Sequence, residues 1–129
     1  MPTVIAFIEQ ARQLGLKSHY FPCGQVAHLV EVVNEMRPDA FHLEEYAGID
    51  IVELRKRLDP EIILYASIHA LEILQKGPIE AIEKETKRQI DACIATGPFV
   101  AAVGTEVTKH TPPEHVDAMI RTAHAYASD

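Results

Sequence analysis

The sequence has little that would place it among disulfide-rich or membrane-spanning proteins. It has two cysteines, Cys23 and Cys93, which fall in different predicted elements and form no CxxC spacing. A disulfide framework is therefore not expected, and this usage is typical of a reducing cytoplasm, where we expect the protein. The apolar runs are only a few residues long and cannot span a bilayer. Near the N-terminus, polar residues such as Glu9 and Arg12 interrupt any signal-peptide core.

Basic charge is also scarce. The formal net charge is −7, and the sequence shows no basic stripe of the kind that nucleic-acid binders carry. Hydrophobic residues make up 47% and charged residues 24% of the chain, which is a globular composition and not a disordered one. We therefore expect a single domain over residues 1–129, with a small molecule as its ligand rather than a nucleic acid or a membrane.

What the sequence does contain is a regular alternation of β-prone and amphipathic segments. A leading helix is predicted over Pro2–Leu14, because apolar residues recur there at helical spacing until Gly15. Four strand–helix units follow, separated by proline and glycine. The predicted strands are Lys17–Pro22, Ala40–Leu43, Ile62–Tyr65 and Phe99–Val103. The predicted helices are Gln25–Met36, Ile51–Leu58, Ala70–Gln75, a long helix from Pro78 to about Thr96, and a final helix to about Tyr126.

Three helix starts carry specific signals. Asp50 is a candidate N-cap for the helix at Ile51. Pro78 stands at the first position of the long helix, where a missing N–H costs least. Thr111-Pro112-Pro113-Glu114 has the form of a capping box for the final helix. Strands that alternate with helices predict a parallel sheet with right-handed crossovers. The expected fold class is α/β, a parallel (βα)4 half of a TIM-type barrel with a leading N-terminal helix.

Polar residues follow every predicted strand. In parallel α/β sheets, ligands meet the C-terminal ends of the strands, where loops and helix N-termini converge. The residues that this rule selects are Cys23 and Gly24, then Glu44, Glu45 and Tyr46, then Ser67 and His69, and finally Gly104, Thr105, Glu106 and His110. Cysteine, histidine and glutamate can all ligate zinc. The spacing gives no HExxH, CxxC or HxC signature, and the chain has no nucleophile elbow or glycine-rich phosphate loop.

Each of these residues also has a structural interpretation. Cys23 can be a small buried residue at a tight turn, as free cysteines often are. Glu44 and Glu45 can be carboxylates that a helix N-terminus favours, and His69 can be a polar loop residue. The remaining histidines and Cys93 have no partner that the sequence identifies, and we interpret them as structural or surface residues. These histidines are His19, His28, His42, His115 and His124.

An ordered series of segments resembles the uroporphyrinogen decarboxylase superfamily, which contains the decarboxylase of haem synthesis and the zinc-dependent corrinoid methyltransferases. The resemblance covers about Leu16 to Ala127. In order, the segments are Pro22-Cys23-Gly24, Glu44-Glu45 with Gly48-Ile49-Asp50, Leu64 to His69, Leu74 to Pro78, and Gly104-Thr105-Glu106-Val107 leading to Thr111 to Val116. It implies the C-terminal half of a (βα)8 barrel, a fold that needs about 250 residues.

The positions that define the family's chemistries differ in this chain. Where the zinc methyltransferases carry His-x-Cys-Gly, Phe21 stands at the histidine position and Cys23 remains as the metal ligand. Thr105 stands where the methyltransferases have a later cysteine and the decarboxylases a histidine. The family's Gly-Asn-x-Asp reads Ala66-Ser67-Ile68-His69 here. The segment Gly104-Thr105-Glu106-Val107 is most similar to the subgroup associated with corrinoid- and tetrahydrofolate-linked methyl transfer or O-demethylation.

The resemblance therefore implies the half-barrel of a corrinoid- or tetrahydrofolate-linked methyltransferase, with zinc and a corrinoid as its cofactors. It implies catalytic roles for Glu45, His69 and Glu106, and a metal-ligand role for Cys23. Substrate contacts are expected from a second set at the same strand ends. These residues are Tyr46, Ser67 and Thr105.

Two other functions stay open at this point. The first is decarboxylation of a porphyrinogen, with which the segment Pro113-Glu114-His115-Val116 is compatible. Such a substrate carries many carboxylates, however, and a chain of net charge −7 without arginines at its strand ends is a poor receptor for it. Arg55, Arg57 and Arg88 all fall on predicted helices. The second alternative is a non-catalytic, truncated binding or assembly module.

A four-strand half-barrel also predicts a need for partners. It leaves two sheet edges and an apolar inner face open. We expect self-association into a barrel-like homo-oligomer, a partner chain that supplies the missing half, or refolding into an open sheet with helices on both faces. The leading helix Pro2–Leu14 can cover part of that face.

Overall fold

The computed structural model describes residues 2–44, 47–65 and 67–126. Within them, four parallel strands form one sheet in the order β1-β2-β3-β4. The strands are β1 (His19–Tyr20), β2 (Ala40–His42), β3 (Ile63–Tyr65) and β4 (Phe99–Val100). The helices are α1 (Pro2–Gln13), α2 (Val30–Met36), α3 (Ile51–Arg57), α4 (Ile79–Ile94) and α5 (Pro113–Tyr126). This arrangement confirms the predicted α/β class, with a leading helix and four strand–helix units.

Two short helical turns complete the connections. A 3-10 turn over Ala27–Leu29 leads into α2, so that helix starts later than the predicted Gln25. The segment Ala70–Gln75, predicted as a short helix, forms a π-helical turn between β3 and α4. No helix in the described ranges is both long and apolar enough to cross a membrane.

The strands are shorter than the sequence predicts. β1 covers His19–Tyr20 instead of Lys17–Pro22, and β4 covers Phe99–Val100 instead of Phe99–Val103. Pro22 has no backbone N–H to contribute to a ladder, which is one reason for the early end of β1. Val103 still forms an isolated parallel bridge with Ile68, so the contact between the third and fourth units continues past the regular strands.

The helix starts follow two of the three predicted signals closely. The Asp50 carboxylate accepts the Val52 N–H at 2.9 Å, which confirms it as the N-cap of α3. Pro78 directly precedes α4, one residue before the predicted place. α5 begins at Pro113, so the predicted capping box is displaced by one residue, and the Thr111 hydroxyl lies 3.1 Å from that of Thr108 instead.

The core lies between the helices and one face of the sheet. Phe41 of β2 and Leu64 of β3 are 1% and 0% exposed, and they belong to one apolar cluster with side chains of α2, α3 and α4. We name the sheet face that carries Phe41 and Leu64 the outer face. Cys93 of α4 is buried in the same cluster, and burial raises the pKa of its thiol to about 11. It is a packing residue, as the sequence analysis expected.

A buried arginine joins the end of α3 to the start of β3. The Arg55 guanidinium donates to the carbonyls of Leu58, Asp59 and Ile62 at 3.0, 2.7 and 3.1 Å. Gly97 packs against this cluster. A side chain at position 97 would crowd the guanidinium, since a Cβ there would lie 3.0 Å from Arg55 Nη1. Arg55 is thus a structural residue of the outer layer and lies away from the carboxyl ends of the strands.

Candidate functional site

The loops after β1 and β2 meet at the carboxyl end of the sheet. Cys23 is an exposed free thiol there, and Gly24 adopts a left-handed φ of 87° that favours glycine. The Gly24 N–H donates to the carboxylate of Glu44, which follows β2. The strand-end rule therefore correctly places these two loops together. The interpretation of Cys23 as a buried turn residue is wrong, because the turn leaves its side chain in solvent.

The residues after β3 have local structural partners. His69 Nδ1 accepts the Glu72 N–H at 3.2 Å, so the imidazole caps the π-helical turn over Ala70–Gln75. A neutral His69 that accepts through Nδ1 carries its proton on Nε2. The Ser67 carbonyl accepts from the Gln89 side chain at 3.1 Å. Both residues lie at the carboxyl end of the sheet, as predicted, and we call this end the rim. Capping is one structural reason for a histidine at position 69.

The loop after β4 lies beside the loop after β3. Gly104 N–H donates to the Ile68 carbonyl at 3.0 Å, and Ile68 N–H donates to the Ala102 carbonyl at 2.9 Å. Thr105 is half-buried and Glu106 is exposed just beyond this contact. The predicted site residues Glu45 and Tyr46 lie outside the described residues. The roles predicted for Ser67, His69, Thr105 and Glu106 stay predictions.

A zinc site requires several converging ligands, since structural sites use four and catalytic sites three protein side chains. Across residues 2–44, 47–65 and 67–126, no group of three or more His, Cys, Asp or Glu side chains is placed to hold a metal ion. The described residues therefore do not fit a zinc centre at Cys23.

A stack of rings covers the inner face of the sheet, which is the face opposite Phe41 and Leu64. Side chains alternate along a strand, so His42 and Tyr65 point away from the helices. His19 lies 4.6 Å from Tyr65 and 5.6 Å from His42 between ring centroids, and Phe21 lies 4.4 Å from His42. We name these four residues the ring stack: His19, Phe21, His42 and Tyr65.

The ring stack supplies partners for His19 and His42 that the sequence did not identify. Phe21, which occupies the family's histidine position, packs on His42 in a nearly parallel arrangement with an interplanar angle of 20°. The signal that could have found the cluster is the strand period of two. His42 alternates with the buried Phe41, and His19 alternates with Tyr20, so both histidines belong to the face that the helices do not cover.

His42 is the chemically distinctive member of the ring stack. Its Nε2 lies 2.8 Å from the Val103 carbonyl, and because a carbonyl can only accept, Nε2 donates. Burial lowers the pKa of His42; the Val103 carbonyl raises it and the nearby His19 lowers it, with a net result below the ordinary value. The ring is therefore neutral at neutral pH and has its lone pair on Nδ1, which can accept a proton.

A groove of about 750 Å³ runs from the inner face to the amino ends of the strands. Most of its charged side chains form ion pairs with one another. Lys17 Nζ lies 2.8 Å from Asp39 Oδ1, and Arg37 lies 3.6 Å from Asp59. The hydrogen bond from Lys17, with those from Ser18, lowers the pKa of Asp39 to about 2. This end of the sheet is held together by ion pairs and presents no converging charge of one sign.

Comparison with known proteins gives one family and a fold relative. Residues 1–126 match the family described as uroporphyrinogen decarboxylase (URO-D). A solved methyltransferase from Methanosarcina mazei superposes with a TM-score of 0.74 at 16% sequence identity, over 96% of this chain and 34% of that chain. This likeness shows a shared fold, and the chain spans about one third of that protein. No curated protein matches the chain.

Proposed function

The chain belongs to the uroporphyrinogen decarboxylase family, and we propose that it supplies half of a methyl-transfer site on the inner face of its sheet. The fold it shares with the methyltransferase from Methanosarcina mazei supports this choice within the family. The observation that carries the proposal is the ring stack, because it brings aromatic side chains and a neutral, proton-accepting histidine together at the expected end of the sheet.

The chemistry proposed for this surface is a displacement. The ring stack holds a flat methyl carrier, a corrinoid or a tetrahydrofolate, which is the substrate here. The acceptor, a thiol or a hydroxyl compound, would take the methyl group and give its proton to His42 Nδ1, while the carrier would keep the electron pair of the broken bond. A tetrahydrofolate would also take up a proton from water at the nitrogen that loses the methyl group. Ser67, Thr105 and Glu106 at the rim, with Tyr46 and Glu45, are proposed to orient the acceptor. Zinc is no part of this proposal.

The proposed site needs a second wall. β1 and β4 are sheet edges, and Val100 of β4 is 36% exposed on the inner face. Apolar side chains of α1 beside β1 are exposed too, with Phe7 at 68%. In a complete barrel, further strands pair with both edges and cover these surfaces. We expect the remaining strands from a second copy of the chain or from another polypeptide segment.

Porphyrinogen decarboxylation has less support. The described residues include Arg12, Arg37, Arg55, Arg57, Arg88 and Arg121, and these lie on helices or at the amino end of the sheet. A polycarboxylate would need several cations at the carboxyl ends of the strands. Arg88 lies near Ser67 and His69 after β3, but it is already paired with Asp50 and Glu85.

A non-catalytic binding or assembly unit is supported by a different observation. His69 and Glu44 both serve as caps for neighbouring backbone N–H groups. Side chains at the rim can therefore be kept for structure alone, without any chemistry.

Methyl transfer can be tested with methylcobalamin and methyltetrahydrofolate as donors and a simple alkyl thiol as acceptor. The chain is assayed alone and mixed with candidate partner chains, and light scattering reports the oligomeric state of each sample. We expect transfer above the uncatalysed rate in a sample that contains an assembled barrel. The variant His42→Gln should lose roughly 10²–10⁴-fold of the rate, as removal of a general base does.

The matched control is His28→Gln, because His28 is exposed near α2 and lies outside the ring stack. It should keep the full rate. Transfer that is equal in His42→Gln and in the unmodified chain would remove His42 from the mechanism. No transfer in any combination, including samples in which light scattering shows that the chain assembles, would favour the non-catalytic binding or assembly unit.

A further inference from the structure

The Val103 carbonyl fixes the direction of the His42 ring. Val103 follows β4, and β3 lies between β4 and the strand that carries His42. The imidazole therefore reaches past β3 to donate from Nε2 to this carbonyl at 2.8 Å. Stacking on Phe21 restrains the tilt of the ring, whereas the hydrogen bond is directional and selects the nitrogen that faces Val103.

Val103 is itself held by the segment after β3, through a parallel bridge with Ile68. The Ile68 N–H donates to the Ala102 carbonyl at 2.9 Å, and the Gly104 N–H donates to the Ile68 carbonyl at 3.0 Å. These bonds join Ile68 to the residues on both sides of Val103. A shift of the Ile68 backbone is therefore passed on to the carbonyl that His42 uses.

Gln89 holds this segment from helix α4. Its Nε2 donates to the Ser67 carbonyl, one residue before Ile68, at 3.1 Å and to Glu85 Oε1 at 2.8 Å. The two acceptors fix the orientation of the amide, because a flipped amide would set Oε1 against both of them. Arg88 in turn holds Glu85 through two bonds of 2.7 Å. The amide that contacts Ser67 is thus oriented by a charged pair on its own helix.

Core packing alone does not explain a glutamine at this position. Gln89 is 3% exposed, and its Oε1 is buried without a hydrogen-bond partner among the described residues. An unsatisfied buried acceptor lowers stability, and an apolar side chain would avoid that loss. What an apolar side chain could not supply is the pair of bonds from Nε2. These bonds favour a role in orientation.

We infer that Gln89, oriented by Glu85, is a positioning residue that sets the direction of the His42 ring through the Ser67–Ile68 backbone and the Val103 carbonyl. It acts from α4 in the outer layer, so its effect on the inner face passes through these bonds. This role rests on the proposed function, because a general base must present its free nitrogen, here Nδ1, towards the proton that it accepts.

The test follows the His42 Nε2–H proton by ¹H–¹⁵N NMR in the full chain, with no methyl donor or acceptor present. Its signal is the one that His42→Gln removes, and its exchange with water reports how firmly the ring is held. In Gln89→Met we expect roughly fivefold faster exchange, the factor that corresponds to the loss of one ordinary hydrogen bond. Failure of methyl transfer would leave this measurement unaffected, so the positioning role and the proposed function can fail separately.

Thr86→Val is the matched control. Thr86 is 0% exposed on the same helix, and its hydroxyl donates to the Ile82 carbonyl at 2.8 Å, so this variant loses a buried hydrogen bond within α4. The His42 proton should exchange as in the unmodified chain. Equal acceleration in both variants would show a general loosening of α4, and unchanged exchange in Gln89→Met would show that apolar packing alone holds the bridge. Either result overturns the positioning role.

A second variant keeps the test decisive if Gln89→Met does not fold. Glu85→Ala removes the acceptor that orients the amide and leaves Gln89 in place. We expect the His42 Nε2–H to exchange at least roughly twofold faster in this variant, and far-ultraviolet circular dichroism checks that it is folded. A folded Glu85→Ala variant with unchanged exchange would contradict the role given to Gln89 and Glu85.

Discussion

Phe41 and His42 are consecutive residues of β2, yet they belong to two very different surfaces. Phe41 is enclosed by helices α2 to α4 on the outer face, within a cluster of aliphatic side chains. His42 lies half-buried on the inner face, where it contacts other rings. The outer face forms part of the hydrophobic core, whereas the inner face carries mainly polar and aromatic side chains. The first face stabilises the fold, and the second is the face for which we propose ligand chemistry.

The largest effect should come from truncating the outer face. Leu64→Ala removes a side chain that is 0% exposed, and we expect it to lower the free energy of unfolding by about 2–5 kcal/mol. Val100→Ala is the matched change on the inner face, where the side chain is already 36% exposed, and should cost less than about 1 kcal/mol. Urea unfolding followed by circular dichroism measures both. Equal losses would break the comparison, because they would show that the inner face is covered as completely as the outer one.

A smaller effect is expected at the amino end of the sheet, where Asp39 joins β1 to β2. The pKa of Asp39 is about 2, below the ordinary 3.8, because Lys17 and Ser18 hydrogen-bond its carboxylate. A lowered folded pKa stabilises the fold above about pH 4, and this stabilisation is lost as the pH falls towards 2. Lys17 is 87% exposed, so solvent screening reduces the contribution to about 1 kcal/mol.

The test of this acid sensitivity is urea unfolding between pH 2 and pH 6 for the unmodified chain and Asp39→Asn. The variant should be less stable at pH 6 and should lose less on acidification. Identical acid dependence of the two proteins would mean that Asp39 does not hold the two strands together.

The smallest predicted effect is a pH dependence of the free energy of unfolding that comes from His42 on the inner face. Burial lowers the pKa of His42 below 6.5, so below that pH the unfolded chain binds a proton more readily than the folded one. The free energy of unfolding should therefore fall as the pH drops through 6.5 and be fully recovered above it. His42→Gln should flatten this slope, whereas His28→Gln should leave it unchanged. A proton NMR titration of the His42 ring gives the folded pKa directly, and an ordinary or raised value would contradict the account of a neutral ring.

Local signals in the sequence predicted those parts of the fold that local chemistry controls. The cap at Asp50 and, to within one residue, the start of the long helix at Pro78 follow from hydrogen bonding and ring geometry within a few residues. The strand-end rule also placed Gly24 near Glu44 correctly. The lengths of β1 and β4 were overestimated, because apolar residues that continue past a strand do not show where its partner stops pairing.

The candidate site was predicted only in outline. The rim residues Cys23, Ser67 and Glu106 follow directly from the ends of strands. The ring stack was missed, because His19 and His42 come from different strands and meet only through the register that aligns β1 with β2 and β2 with β3. The buried position of the Gln89 amide was missed for a similar reason, since its bonds to Ser67 and Glu85 join α4 to the segment after β3.

The sequence by itself determined the order of helices and strands, the parallel α/β class and the family resemblance, because each depends on periodicity, capping and motifs that are local in the chain. The tertiary structure alone decided which side chains share a surface. Register set His42 beside Phe21 and Tyr65, and helix packing buried the Gln89 amide behind β3. Both outcomes depend on contacts between residues far apart in the chain. The strand period assigns a side chain to one face of the sheet, but only register and helix packing decide its neighbours.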